Sequence, residues 1–179
     1  MSIVKVNSNA INNGSITAED IADDTITYVK LSAPTGTNNV ALGDQALSSG
    51  SLSGASNTAV GSLSLLSNTS GADNTAMGLC SLRLNTTGGQ NTAIGRKAMS
   101  SNTEGSNNTA IGRQAMVANT TASNNTAVGA QALENNTTGT KNTAVGMSSL
   151  TANTEGSQNV SLGSCSMLAN TTGSNNTAI

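Results

Sequence analysis

The chain has 179 residues, seven Lys or Arg against nine Asp or Glu, and one Tyr as its only aromatic side chain. A conventional globular core lacks its large fillers here, and a net charge of −2 with 9% charged residues provides neither a nucleic-acid footprint nor a polybasic membrane patch. Histidine is absent, which removes the commonest general base and metal ligand, so the expectation is no catalytic residue, no cofactor, no metal, no nucleic-acid partner and no membrane insertion.

In chain order, "MSIVKVNSNAINNG" gives a few apolar residues and then turns polar, without the apolar core of a signal peptide. No run of about 18 apolar residues follows. Between Gly14 and Ser32 the reading is a short helix over Ala18 to Ala22, capped by Thr17 with Glu19 and Asp20 in its first turn, and then a strand from Thr25 to Leu31. Pro34 and Gly36 mark a junction, so residues 1–37 are expected to form a capping or attachment segment and residues 38–179 a second region.

That second region is periodic. Asn57, Asn74, Asn91, Asn108, Asn125, Asn142, Asn159 and Asn176 each open a version of one 17-residue unit, Asn-Thr-Ala-φ-Gly-x-x-[Ala/Ser]-[Leu/Met]-x-x-Asn-Thr-x-Gly-x-x, where φ is aliphatic. An earlier copy opens at Asn39 and is one residue longer, and the last copy stops at its fourth position, Ile179. Glycine at the fifth position of every unit, and at the fifteenth of nearly every one, rules out a coiled coil or helical repeat. Collagen needs Gly at every third residue, and calcium-binding rolls need a Gly-Asp-rich turn. The remaining fold is all-β: a parallel β-solenoid, or β-roll, with one unit per coil and the last coil incomplete.

Stacked coils place like residues about 4.8 Å apart in columns. The fourth-position residues Val60, Met77, Ile94, Ile111, Val128, Val145 and Leu162, and the ninth-position residues Leu65, Leu82, Met99, Met116, Leu133, Leu150 and Met167, are expected to line the interior as two aliphatic ladders. Gly61, Gly78, Gly95, Gly112, Gly129, Gly146 and Gly163 are the expected turn glycines. An asparagine ladder is expected through Asn57, Asn74, Asn91, Asn108, Asn125, Asn142 and Asn159, with left-handed backbone angles at the first and twelfth positions. Ala122, standing where neighbouring units have Gly, marks the turn expected to be strained. Two aliphatic side chains per coil bury little apolar surface against the entropy of ordering 17 residues, which points to assembly as a parallel homotrimer.

Few residues stand out for chemistry. Cys80 and Cys165 share the seventh position five coils apart, too far for a disulfide, and are expected to be free thiols. Glu104 and Glu155 share the fourteenth position three coils apart and cannot form a carboxylate pair. Arg96 and Arg113 stack at the sixth position of adjacent coils beside Lys97, a weak candidate for contact with an anionic glycan and more simply a solvated face. Threonine columns at the second and thirteenth positions suggest, as a rival reading, an ice-binding solenoid.

At "NNVALGDQAL", "NTAIGRKAM" and "NTAVGAQAL" the chain resembles the head repeats of trimeric autotransporter (YadA-like) adhesins, built on an Ala-[Ile/Val]-Gly-x-x-Ala core. The resemblance implies a left-handed parallel β-roll wound into a tight trimer. The Asn-Thr-Ala-φ-Gly repeats are also similar to those of phage tail fibres, and "GSITAEDIADDTITYVKLS" resembles a segment that precedes the shaft in many such proteins. These resemblances imply a structural virion protein, assembled in the host cytoplasm into a tail fibre. Its N-terminus would bind tail or baseplate proteins, and a tip beyond Ile179 would engage a host surface receptor. A fragment of a bacterial surface adhesin head is the alternative.

Overall fold

The computed structural model describes residues 38–49 and 52–179; the helix and strand expected between Gly14 and Ser32, and the junction at Pro34, lie outside the described residues. Among the described residues nine short strands, β1 (Val40–Leu42), β2 (Thr58–Val60), β3 (Thr75–Met77), β4 (Thr92–Ile94), β5 (Thr109–Ile111), β6 (Thr126–Val128), β7 (Thr143–Val145), β8 (Val160–Leu162) and β9 (Thr177–Ala178), form one parallel sheet in sequence order. The described residues form an all-β solenoid of about eight turns, one unit of 17 residues to each after a first of 18. Register is kept throughout, with Ala59 against Ala76, Ala76 against Ala93 and Ala93 against Ala110. Strands of three residues suffice because the corners bond between coils as well, for instance Cys80 N–H to Ser62 O at 3.0 Å and Leu82 N–H to Ala98 O at 3.0 Å.

The interior is narrow. Its apolar part includes the third-position alanines from Ala59 to Ala144, the eighth-position Ala98, Ala115 and Ala132, and the ninth-position Leu65, Leu82, Met99, Met116, Leu133 and Leu150, all fully buried, and Met167 packs against them. The fourth-position column is not inside. Met77, Ile94, Ile111 and Val145 are 37 to 42% exposed, and Val60, Val128 and Leu162 are half-buried. The expected second inward ladder is therefore an outward one. Side chains alternate across a strand, so with the third-position alanine pointing in, the second and fourth residues must point out.

Much of the remaining interior is asparagine. At the first position each backbone N–H donates to the side-chain oxygen of the preceding coil's asparagine, as from Asn74 to Asn57, Asn91 to Asn74 and Asn108 to Asn91, each at 3.0 Å. A second ladder runs through the twelfth position, where Asn85, Asn102 and Asn119 donate to the residue one coil before at 2.8, 2.7 and 2.7 Å. Both ladders converge on the carbonyl of the fifteenth residue: Gly105 O accepts from Asn91 at 2.8 Å and from Asn102 at 3.0 Å. Each amide thus meets the requirement that a buried polar group find a partner, and among the described residues no buried side-chain donor or acceptor lacks one.

The left-handed backbone angles fall elsewhere than expected. Neither asparagine column adopts them; the seventh, ninth and seventeenth residues do, as Gln114 (φ 60°), Met116 (φ 50°) and Asn124 (φ 63°) show in one coil. The asparagines are held by side-chain bonds along the column, whereas the tight bends lie at the corners between faces. A left-handed angle at a bulky residue costs about 1 to 2 kcal/mol, comparable with the roughly 1.5 to 3 kcal/mol from burying its side chain, so burial offsets the bend at Met116. At the fifth position the glycine is obligatory on two counts. Gly112 has φ 139°, and a Cβ there would meet Gly129 O at 2.4 Å.

Candidate functional site

With the interior committed to structure, any function falls to the outer surface. Its most regular part is the outer face of the nine-stranded sheet, which carries two parallel columns: threonine at the second position and an aliphatic residue at the fourth. Ile94 and Ile111 occupy adjacent strands in register, flanked by Met77 and Val128. The threonine column is Thr58, Thr75, Thr92, Thr109, Thr126 and Thr143, then Val160. Among the described residues, none of these threonine hydroxyls has a hydrogen-bonding partner within the chain. The two threonine columns are therefore not equivalent. At the thirteenth position each hydroxyl donates to the carbonyl of the next coil's threonine, as Thr86 does to Thr103 at 3.0 Å and Thr137 does to Thr154 at 3.1 Å.

The sixth position follows the glycine turn and forms a corner of the solenoid. Arg96 and Arg113 are exposed there in adjacent coils, and Lys97 is exposed beside Arg96 at the seventh position. Backbone bonds clamp the corner from both sides: Lys97 N–H to Leu79 O at 2.9 Å, Gln114 N–H to Arg96 O at 3.0 Å and Gln131 N–H to Arg113 O at 2.9 Å. Glu104 and Glu155 are exposed on a different wall at the fourteenth position, and Glu134 accepts from Gln131 Nε2 at 3.0 Å. Cys80 is 9% exposed and Cys165 is exposed; both are free thiols. Among the described residues no three His, Cys, Asp or Glu side chains come together, and no helix is long and apolar enough to cross a membrane.

Two local departures matter. In β8, Ser161 stands where the other strands place an inward alanine, and its hydroxyl meets that of Ser149 in the preceding coil at 2.8 Å; both are fully buried. Ser161 in turn donates to Ser166 O at 2.9 Å, so the exception brings its own partners. The sequence signal was the phrase "VSL" in place of Thr-Ala-φ, one coil after Ser149 at an eighth position that takes Ala or Ser.

The second departure is Ala122. In other coils the residues at positions thirteen to fifteen all donate to one carbonyl of the next coil, as Thr103, Glu104 and Gly105 do to Thr120 O at 2.9, 3.2 and 3.3 Å. Thr120 reaches Thr137 O at 3.4 Å, and among the described residues Thr121 and Ala122 make no corresponding bonds. The cause is steric. A Cβ at the equivalent Gly105 would lie 2.3 Å from Ala122 O, and one at Gly139 would lie 2.3 Å from Gly156 O, so the real Cβ of Ala122 holds the next coil away.

No protein-family model, no curated protein and no solved structure matches the chain.

Proposed function

We propose that this chain is a non-enzymatic structural protein, a shaft segment of a phage tail fibre or a similar virion appendage that contributes to host attachment, assembled as a parallel homotrimer. The observation that carries the reading is the aliphatic column on the outer sheet face. Met77, Ile94, Ile111 and Val145 are exposed in one column, with the half-buried Val128 between the last two, on a regularly repeating backbone. An apolar line of that length on a flat face marks an association surface. The narrow interior strengthens the argument, since it buries one aliphatic side chain per coil where two were expected. Association of copies would supply the missing apolar burial.

The threefold state and the virion setting come from the resemblance of the Asn-Thr-Ala-φ-Gly units to adhesin heads and tail-fibre repeats. Residues 1–37 would then join the shaft to tail or baseplate proteins. The same assembly also serves a bacterial adhesin head. Sedimentation velocity tests the association: the chain should run as a trimer, and Ile94→Thr with Ile111→Thr should shift it toward monomer while circular dichroism stays unchanged. A monomeric parent chain at micromolar concentration would remove the basis for the reading.

One observation favours a second reading. The unbonded hydroxyls of Thr75, Thr92, Thr109 and Thr126 lie in one column beside the aliphatic one, a regular array of hydroxyl and methyl groups of the kind that orders water into ice. That function needs the face free. Thermal hysteresis by a monomer would favour ice binding over the shaft.

A further inference from the structure

We propose that Arg96, Lys97 and Arg113 form a docking strip for an anionic polysaccharide, one bearing sulfate or carboxylate groups along its chain. Three of the five cationic residues among those described stand in two adjacent coils, in a chain with a net charge of −2. Arg96 and Arg113 are equivalents in successive coils, so their Cα atoms lie about one strand spacing, roughly 4.8 Å, apart. Among the described residues no acidic side chain forms an ion pair with them. Among the described residues, Arg96 and Lys97 make no side-chain hydrogen bond or ion pair, and the partner of Arg113 is the neutral amide oxygen of Gln114.

Like charges stacked this closely repel one another, and an anion placed between them relieves that repulsion. Guanidinium groups also present planar pairs of donors that match sulfate and carboxylate oxygens. The clamped backbone at Lys97, Gln114 and Gln131 keeps the ordering cost of binding low. A polysaccharide suits the strip better than a compact anion, because the corner is an open, exposed ridge with the charges arrayed along the solenoid axis. The strip also lies past the Gly95 and Gly112 turns, on different residues from the association face, so it stands apart from the assembly reading.

The test uses the whole chain, with heparin as the sulfated probe and alginate as the carboxylated one, titrated calorimetrically at low and at physiological salt. The double variant Arg96→Ser, Arg113→Ser takes the residue that Ser62 and Ser164 already place at this position, so the coil accepts it. It should bind at least about tenfold more weakly, a loss of one log unit in affinity. Arg83→Ser, which removes an exposed cation from another wall, should bind like the parent. Binding of one probe and not the other identifies which anionic group the strip takes. The proposal is overturned if the parent binds neither probe, if the double variant binds as well as the parent, if Arg83→Ser loses as much, or if duplex DNA binds equally well. Sedimentation of the same variants reports assembly separately.

Discussion

Asn136 reaches the side-chain oxygen of Asn119 at 3.2 Å, whereas Asn119 reaches that of Asn102 at 2.7 Å and Asn153 reaches that of Asn136 at 2.8 Å. The stretch sits one coil after Ala122 and has company. Lys141 N–H lies 3.4 Å from Ser123 O, against 3.1 Å for the equivalent pair Asn124 and Ser106. One methyl group thus loosens several bonds between two coils at once. In a stack where each coil touches only its neighbours, such a defect stays local.

Ala122→Gly should therefore stabilise the protein. Two recovered backbone bonds contribute about 1 kcal/mol each, less the roughly 0.4 to 1 kcal/mol lost to the greater freedom of Gly in the unfolded chain. The net gain expected is about 1 kcal/mol, seen as a higher denaturation midpoint, with slower hydrogen exchange at residues 121 and 122. An unchanged or lower midpoint would show that the lengthened bonds carry no cost.

The twelfth-position ladder makes a second prediction. Asn102 donates to Asn85 and to Gly105 O, and accepts from Asn119. Asn102→Ala leaves buried donors and acceptors unpaired on both sides and should cost about 2 to 4 kcal/mol. Asn135→Ala, at an exposed asparagine, should change stability by less than about 0.5 kcal/mol. Equal effects in urea unfolding would mean that the ladder does not hold the coils together.

Inside and outside can be told apart within a single coil. Met116 is fully buried and Ile111 is 38% exposed. Met116→Ala should lose about 2 to 5 kcal/mol. Ile111→Ser should cost the isolated chain no more than about 1 kcal/mol while weakening association. If Ile111→Ser unfolds the dilute chain as severely as Met116→Ala, the outward assignment of the fourth column fails.

The two thiols should differ in reactivity. Cys165 is exposed and Cys80 is nearly covered, so a thiol reagent added to the folded protein should label one site per chain quickly and the second only as the coils open. Two equally fast sites would contradict the burial of Cys80.

The sequence by itself determined the period, the fold class and the places where chain chemistry is fixed. A spacing of 17 residues with Gly at the fifth position leaves few backbones open, and the need for Gly112 and its equivalents is visible in the letters because no side chain fits there. Ala122 was likewise legible as an exception to its column. The facing of the fourth position was not legible. Thr-Ala-φ offers two neighbouring apolar residues, and hydrophobicity alone favours putting the larger one inside. Only the closed coil decides, because its interior is so narrow that alanine fits against Leu or Met where a second large residue would not, and strand alternation then sends Ile94 and Ile111 outward. The same closure decided which threonines keep a free hydroxyl. Thr103 and Thr109 look alike in sequence, but the hydroxyl of the first donates to the carbonyl of Thr120 one coil on, whereas among the described residues that of the second has no hydrogen-bonding partner.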